Sequence, residues 1–127
     1  MRRDEFVERV QERTGLSAEE AERAVDAVLE TLGERLELTE KNHLASQVGS
    51  DLKEPLLRRK RTERYSLEEF YNRVGGRSEV SFAHAENHTR AVMEVLREAI
   101  APGELQHIIE KLPDEYRDLL RTEGVRG

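Results

Sequence analysis

The sequence lacks cysteine, and this absence excludes several kinds of chemistry. Among its 127 residues there is no cysteine and no tryptophan, and there are only three phenylalanines and three tyrosines. Without cysteine the chain can form no disulfide and offers no thiolate as a nucleophile or metal ligand. Because aromatic rings are so few, we expect the core to be built mainly from aliphatic side chains.

Long apolar runs and an excess of basic charge are also missing. No apolar stretch approaches the roughly 20 residues that a transmembrane helix needs, and none follows the charged N-terminal segment 1–5. We therefore expect a soluble, cytoplasmic protein with no membrane partner. The net charge is −6, with 38% of the residues charged, and this disfavours a surface that generally coats nucleic acid.

What the sequence does contain is a repeat. When Phe6 is placed on Phe70, the segment from Asp4 to Leu57 aligns without a gap with 68–121, and 16 of the 54 aligned positions are identical. A unit of about 60 residues is only marginally stable alone, so we expect the two repeats to share one core. The predicted single domain comprises repeat one at 1–57, a basic joint at 58–65 and repeat two at 66–127.

Apolar residues recur every three or four positions along nearly the whole chain, which is the period of an α-helix. Ser17 opens a capping box at the start of a long helix, Ser81 caps the long helix of repeat two, and Ser66 caps the helix before it. No strand-like alternation is present. The sequence therefore predicts an all-α protein with about four helices in each repeat, packed into one compact helical bundle.

Prolines and paired glycines predict where helices stop. Pro55 should end a helix or mark its restart, because proline lacks the backbone N–H and clashes with the preceding turn. Pro102 suits the first turn of a helix, where the missing N–H costs nothing. Gly75 and Gly76 are expected between a helix end and the next cap, in the left-handed conformation that glycine tolerates.

Several stretches together carry a resemblance to a known family. They are residues 4–10, 21–36, 70–74, 91–99 and 112–120, and they resemble a bacterial family known as domain of unknown function 2267. The resemblance implies a small, all-helical, internally repeated cytoplasmic protein. The matching motifs are core and surface positions rather than chemical signatures, so the resemblance implies a fold and no activity.

Two histidines of repeat two are the candidate metal ligands. His84 and His88 are four residues apart on a predicted helix, so both rings could face one way and chelate a metal ion. The zinc-protease signature needs a glutamate directly after the first histidine, where this chain has Ala85. No third ligand is evident, so we predict neither a metal nor a cofactor. The alternative interpretation is a partly exposed pair that titrates near neutral pH.

The other two histidines, His43 and His107, are equivalent under the repeat. They could meet near an internal axis, or bind the same partner twice. Alternatively, each forms a structural contact that both repeats retain.

Arginines and glutamates also recur at the repeat interval. The arginines are Arg9 and Arg13 with Arg73 and Arg77, and the glutamates are Glu30 and Glu34 with Glu94 and Glu98. We expect two sets of ion pairs that fasten a first helix to a long helix. Acid–base catalysis would need an apolar pocket that keeps one carboxyl protonated, and no such pocket is evident, so we predict no enzymatic activity.

The basic joint is the one segment that could hold a phosphate. Its basic residues are Arg58, Arg59, Lys60, Arg61 and Arg64. They could contact an anion or nucleic acid, although a solvated joint that docks on an acidic face of its own or a neighbouring subunit is favoured. The leading hypothesis is therefore a non-enzymatic module that binds a protein partner or forms a homo-oligomer. Nucleic-acid binding through the joint is the alternative, and a histidine-based metal site is the third.

Overall fold

A computed structural model of the protein describes residues 1–121. This part of the chain contains seven α-helices, one 3₁₀ helix and no strand, so the predicted all-α fold is confirmed. The elements are α1 (Arg3–Thr14), α2 (Ala18–Arg35), α3 (Leu38–Gln47), α4 (Ser50–Leu57), α5 (Leu67–Ser78), α6 (Phe82–Ala99), α7 (Glu104–Ile109) and the 3₁₀ helix (Asp114–Leu120). None of these helices is both long and apolar enough to span a membrane.

The helix bounds follow the spacing of the sequence repeat. In the alignment of the two repeats, both ends of α5 fall on the ends of α1, and both ends of α6 fall on the ends of α2. Serine caps explain the shared start of α2 and α6, whereas α1 starts after Arg2 without a side-chain cap. Ser17 accepts a hydrogen bond from the Glu20 N–H while the Glu20 carboxylate accepts one from the Ser17 N–H. Ser66 and Ser81 accept equivalent bonds at the starts of α5 and α6.

The two repeats interlock. Helix α1 packs against both α2 and α6, and α5 likewise packs against both α6 and α2. Each first helix therefore contacts the long helix of the other repeat as well as its own. The shared core is mainly aliphatic, with Phe6, Phe70 and Tyr116 as its largest fully buried rings. Burying one such large apolar side chain contributes about 1.5–3 kcal/mol relative to leaving it exposed.

Three of the sequence-based helix boundaries are wrong. Pro55 lies inside α4 rather than at its end. Helix α4 begins at Ser50 and ends two residues after Pro55, so less than one turn follows the position that the proline ring disturbs, and Pro55 itself is buried in the core. Gly75 and Gly76 both lie inside α5, and Pro102 precedes α7, whose N-terminal cap is a left-handed Gly103 with φ 83°.

Gly33 lets α4 approach α2 at backbone distance. A Cβ at this position would lie 2.0 Å from the carbonyl oxygen of Leu56. In repeat two the equivalent position is Arg97, whose Nη2 donates to the carbonyl oxygen of Leu120 at 3.0 Å. The two equivalent carbonyl groups are thus contacted differently: by close backbone packing in repeat one and by a long side chain in repeat two.

Candidate functional site

One set of recurring charges joins α1 to α6 at the surface. Arg9 Nη1 lies 2.9 Å from Glu98 Oε1, and Arg13 Nε lies 2.6 Å from Glu94 Oε1. Arg13 also contacts Glu98. These four residues are called the open clamp. Its pairs connect the first helix of repeat one to the long helix of repeat two.

The equivalent set joins α5 to α2. Arg73 Nη1 lies 3.1 Å from Glu34 Oε1, and Arg77 Nη2 lies 3.0 Å from the same oxygen. Arg77 Nε is 3.9 Å from Glu30 Oε2. These four residues are called the covered clamp. The ion pairs predicted between first and long helices are therefore present in both sets, and each set connects one repeat to the other.

The basic joint lies over the covered clamp. Arg58 Nη1 and Arg59 Nε bind the two carboxylate oxygens of Glu30 at 2.8 and 2.7 Å. The Tyr65 hydroxyl donates to Glu34 Oε1 at 2.8 Å. The joint thus supplies both glutamates of the covered clamp with additional partners.

Further contacts fix the joint to repeat one. The Lys41 ammonium donates to the carbonyl oxygen of Arg59 at 2.6 Å, and the Thr62 hydroxyl donates to the carbonyl oxygen of Leu36 at 2.8 Å. The Arg35 guanidinium donates to the carbonyl oxygen of Tyr65 at 3.0 Å. The joint is therefore docked on repeat one of the same chain rather than solvated along its length.

This docking uses most of the basic residues that could have bound a phosphate. Besides Arg58 and Arg59, Arg64 is paired with Glu37 at 2.9 Å. Lys60 and Arg61 are exposed and form no hydrogen bond or ion pair within residues 1–121. A nucleic-acid surface at the joint would therefore have two free cations rather than five.

The environment of Glu34 keeps its carboxylate ionised. Burial alone would raise its pKa, but hydrogen bonds from Arg77 and Tyr65 and the charge of Arg77 outweigh burial and lower it. Burial and the hydrogen bond to Glu34 raise the pKa of Tyr65. Burial, helped by the charge of Lys60, lowers the pKa of Lys41. None of these shifts yields a protonated carboxyl for acid–base chemistry.

A cleft of about 330 Å³ lies where the two repeats meet. Repeat one contributes Leu16, Glu20, Arg23 and Ala24, and repeat two contributes Ser78, Glu79, Val80, His84 and His88. Three pairs of these positions align with each other under the repeat, so equivalent places in both repeats face the same space. We call this space the seam cleft.

The histidines of the seam cleft are unusual. The rings of His84 and His88 are 5.9 Å apart between centroids and nearly parallel, at 9°. His88 is only 7% exposed, and its buried Nδ1 has no hydrogen-bond partner in the part of the chain that the structure describes. Burial, helped by the charge of His84, lowers the pKa of His88, which favours the neutral form of its ring.

The ring geometry bears on the predicted metal ligands. Imidazole lone pairs lie in the ring plane, so stacked parallel rings do not aim their nitrogens at one shared point. Within residues 1–121 no group of three His, Asp or Glu side chains is placed to hold a metal ion. A metal bound by His84 and His88 would therefore take no third protein ligand from this region.

A left-handed residue stands at the edge of the seam cleft. Glu79 caps α5 with φ 62°, and it is the one non-glycine residue with positive φ between residues 1 and 121. The equivalent cap of α1 is Gly15, at φ 76°. The left-handed conformation costs a residue with a Cβ about 1–2 kcal/mol. The aligned glycine could have revealed this strain from the sequence, whereas the unpaired His88 nitrogen carried no sequence signal.

The repeated histidines do not pair with each other. His43 Nε2 lies 2.9 Å from Glu104 Oε2, so it links α3 to the start of α7. Over the described range 1–121, no hydrogen bond or ion pair joins His43 to His107. His43 thus makes a structural contact between the repeats.

The fold and these sites define a small all-helical protein in which two similar halves are fastened by reciprocal ion pairs. A family model described as "Uncharacterized conserved protein (DUF2267)" matches residues 3–119. The chain therefore belongs to this family. No curated protein matches the sequence.

Proposed function

We propose that this protein is a non-enzymatic, cytoplasmic interaction module that binds a protein partner. The observation that carries the proposal is the seam cleft, which combines a buried unpaired nitrogen on His88 with a strained backbone at Glu79. Buried polar groups are nearly always hydrogen-bonded in native proteins, and strained residues concentrate where a ligand or partner is held. Their meeting in one cleft supports a binding role.

The charged residues support binding over catalysis. The arginines and glutamates that recur in both repeats are engaged in the open and covered clamps. Glu34, the most buried of these carboxylates, is held ionised rather than poised as an acid. These charges therefore hold the two repeats together. The lining of the seam cleft is left for recognition of a partner.

The lining of the seam cleft indicates the chemistry of the partner. Leu16, Ala24 and Val80 provide apolar surface, and the carboxylates of Glu20 and Glu79 outnumber the single guanidinium of Arg23 in the lining. A partner segment with one apolar side chain next to a lysine or arginine complements this arrangement. A second copy of the chain is the other occupant, and it would give a homo-oligomer.

Site-specific crosslinking tests this proposal. A photo-reactive residue at position 84 should crosslink to one discrete partner in the native cell, while the same residue at exposed Lys53 should not. Val80→Arg should abolish the crosslink, because the guanidinium fills the apolar part of the cleft. Sedimentation across protein concentrations separates self-association from a different partner. A monomer that gives equal crosslinking at both positions would remove the basis for the proposal.

Anion or nucleic-acid binding through the joint is a second candidate, because Lys60 and Arg61 are exposed and unpaired within residues 1–121. Its test is a titration with single- and double-stranded oligonucleotides at low and moderate salt. Replacing both residues with serine should abolish binding, while Lys53→Ser should leave it unchanged. With two free cations, affinity should fall with a log–log salt slope of no more than about −2. A steeper slope, or binding that survives the double replacement, would place the contact elsewhere.

A further inference from the structure

Three arginines converge on a second cleft, which is separate from the seam cleft. It has a volume of about 340 Å³ and lies between the end of α6, α7 and the 3₁₀ helix. We call it the arginine cleft, and its lining is Arg97, Gln106, Glu110, Arg117, Leu120 and Arg121. Three arginines and one acidic residue therefore line one small cleft, in a chain whose net charge is −6.

Two of these arginines have either no carboxylate partner or only a distant one in the part of the chain that the structure describes. Arg97 has no carboxylate partner within residues 1–121, and its Nη2 donates to the carbonyl oxygen of Leu120. Arg117 is 61% exposed and lies 3.7 Å from its nearest acid, Asp114. Glu110, the carboxylate in the lining, accepts a hydrogen bond from Gln106 at 3.0 Å.

The third arginine shares an acid with another cation. Arg121 Nη1 lies 2.8 Å from Asp118, and Asp118 also binds Arg90 at 2.6 Å. One carboxylate thus serves two guanidinium groups. The clamps differ from Arg97 and Arg117, because each clamp arginine meets at least one glutamate at 3.1 Å or less.

Repeat one lacks the three arginines that line this cleft. The positions that align with the three arginines are Gly33, Lys53 and Leu57. At the position of Arg97, Gly33 instead lets α4 approach α2 at backbone distance. The three arginines are therefore not a by-product of the repeated architecture.

We propose that the arginine cleft binds a small phosphate-type oxyanion, such as inorganic phosphate or pyrophosphate, through Arg97 and Arg117. A guanidinium presents parallel N–H donors that match two oxygens of a phosphate, and such charge-assisted bonds are about twice as strong as neutral ones. The cleft volume accommodates a small molecule. Arg97 also stabilises the C-terminal end of α6, where a cation is favoured by the helix dipole. Its hydrogen bond to the Leu120 carbonyl uses only one of its three nitrogens, Nη2. This inference is independent of the proposed function.

Calorimetric titration of the full chain with pyrophosphate and with inorganic phosphate tests the inference. Ionic strength is held constant with sodium chloride, so that general screening cancels. We expect saturable binding of one anion per chain. Arg97→Gln and Arg117→Gln should each weaken it by about tenfold, which is the effect of losing one strong charge-assisted contact. Absence of saturable binding would overturn the proposal.

Two further variants keep the test sharp. Arg2→Gln removes an arginine whose side chain is 82% exposed and which lines neither cleft, so it should leave the affinity unchanged; an equal loss in this variant would show general charge attraction and refute a defined site. Arg97→Lys keeps the charge but loses the planar fork, so it should still weaken binding. Full affinity in the lysine variant would also contradict the proposal. Arg117 is exposed, so its variant should fold even if replacing Arg97 destabilises the chain.

Discussion

The open clamp and the covered clamp are built from equivalent arginines and glutamates of the two repeats, yet they lie in different environments. The side chain of Glu98 in the open clamp is 36% exposed, whereas that of the equivalent Glu34 is 2% exposed. The difference comes from the joint, whose Tyr65 and Arg59 lie over the covered clamp. Within residues 1–121, no segment covers the open clamp in this way.

This comparison shows that equal residues in a repeat do not make equal contributions. An exposed ion pair is screened by water and salt and adds little to stability. A buried carboxylate with several donors is different, because removing it leaves its partners desolvated and unpaired. The clamps therefore differ in how much the fold depends on them.

The largest expected effect comes from removing the charge of Glu34. Glu34→Gln should lower the free energy of unfolding by about 2–4 kcal/mol, because Arg73 and Arg77 would keep their charges beside a neutral amide. Glu98→Gln, the matched variant of the open clamp, should change stability little. Urea denaturation of both variants measures the difference. Equal losses would show that the joint does not distinguish the clamps.

Lowering the pH should remove part of the same stabilisation without a mutation. The pKa of Glu34 is lowered in the folded protein from an ordinary value of 4.5. Between the folded and the unfolded pKa, the unfolded state therefore binds more protons than the folded state. The stabilisation is therefore fully present above about pH 4.5 and is lost as pH falls through the folded pKa. Thermal unfolding from pH 6 to 3 should show a flatter dependence in Glu34→Gln than in the native sequence. Parallel curves would contradict this assignment.

The close contact of α2 with α4 provides a third test. Gly33→Ala should destabilise the protein by about 1–3 kcal/mol, because the added methyl group would collide with the Leu56 carbonyl and force the helices apart. Gly76→Ala is the control, since a Cβ there meets nothing within 4 Å and alanine favours the helix by about 1 kcal/mol. Opposite shifts in melting temperature are expected. A neutral Gly33→Ala would show that α4 moves freely.

The smallest expected effect concerns the two caps that differ between the repeats. Glu79→Gly should stabilise the protein by about 1 kcal/mol, because glycine adopts the left-handed conformation without strain. If the strain serves partner binding, the same variant should also weaken crosslinking from position 84. Differential scanning calorimetry measures the first part. No rise in melting temperature would indicate that the carboxylate makes a compensating contribution.

Much of the fold could be predicted because its signals are local. Capping serines at positions 17, 66 and 81 mark helix starts through hydrogen bonds within one turn, and the structure has the helices there. Pro55 was misjudged because the local rule excludes proline from the interior of a helix. Tertiary packing instead lets α4 begin at Ser50 and bury the proline.

The candidate sites were less predictable because they depend on contacts between distant segments. The sequence indicated which arginines and glutamates belong together, but not that the joint covers one set and leaves the other open. The basic run was likewise expected either to bind a phosphate or to dock on an acidic face, but its sequence did not show that Arg58 and Arg59 bind Glu30, which lies 28 and 29 residues away. The arginine cleft had no sequence signal, since its residues come from three separate elements.

The interlocking of the repeats has a consequence for how the protein is made. Arg13 and Glu94 of the open clamp are 81 residues apart, and the first helix has no complete packing surface until α6 exists. A nascent chain can form α1 and α2 early, but it cannot seat α1 until most of the protein has left the ribosome. Contacts of such long separation slow folding. Repeat one should therefore wait for repeat two, and the chain should acquire its stability late and in one step.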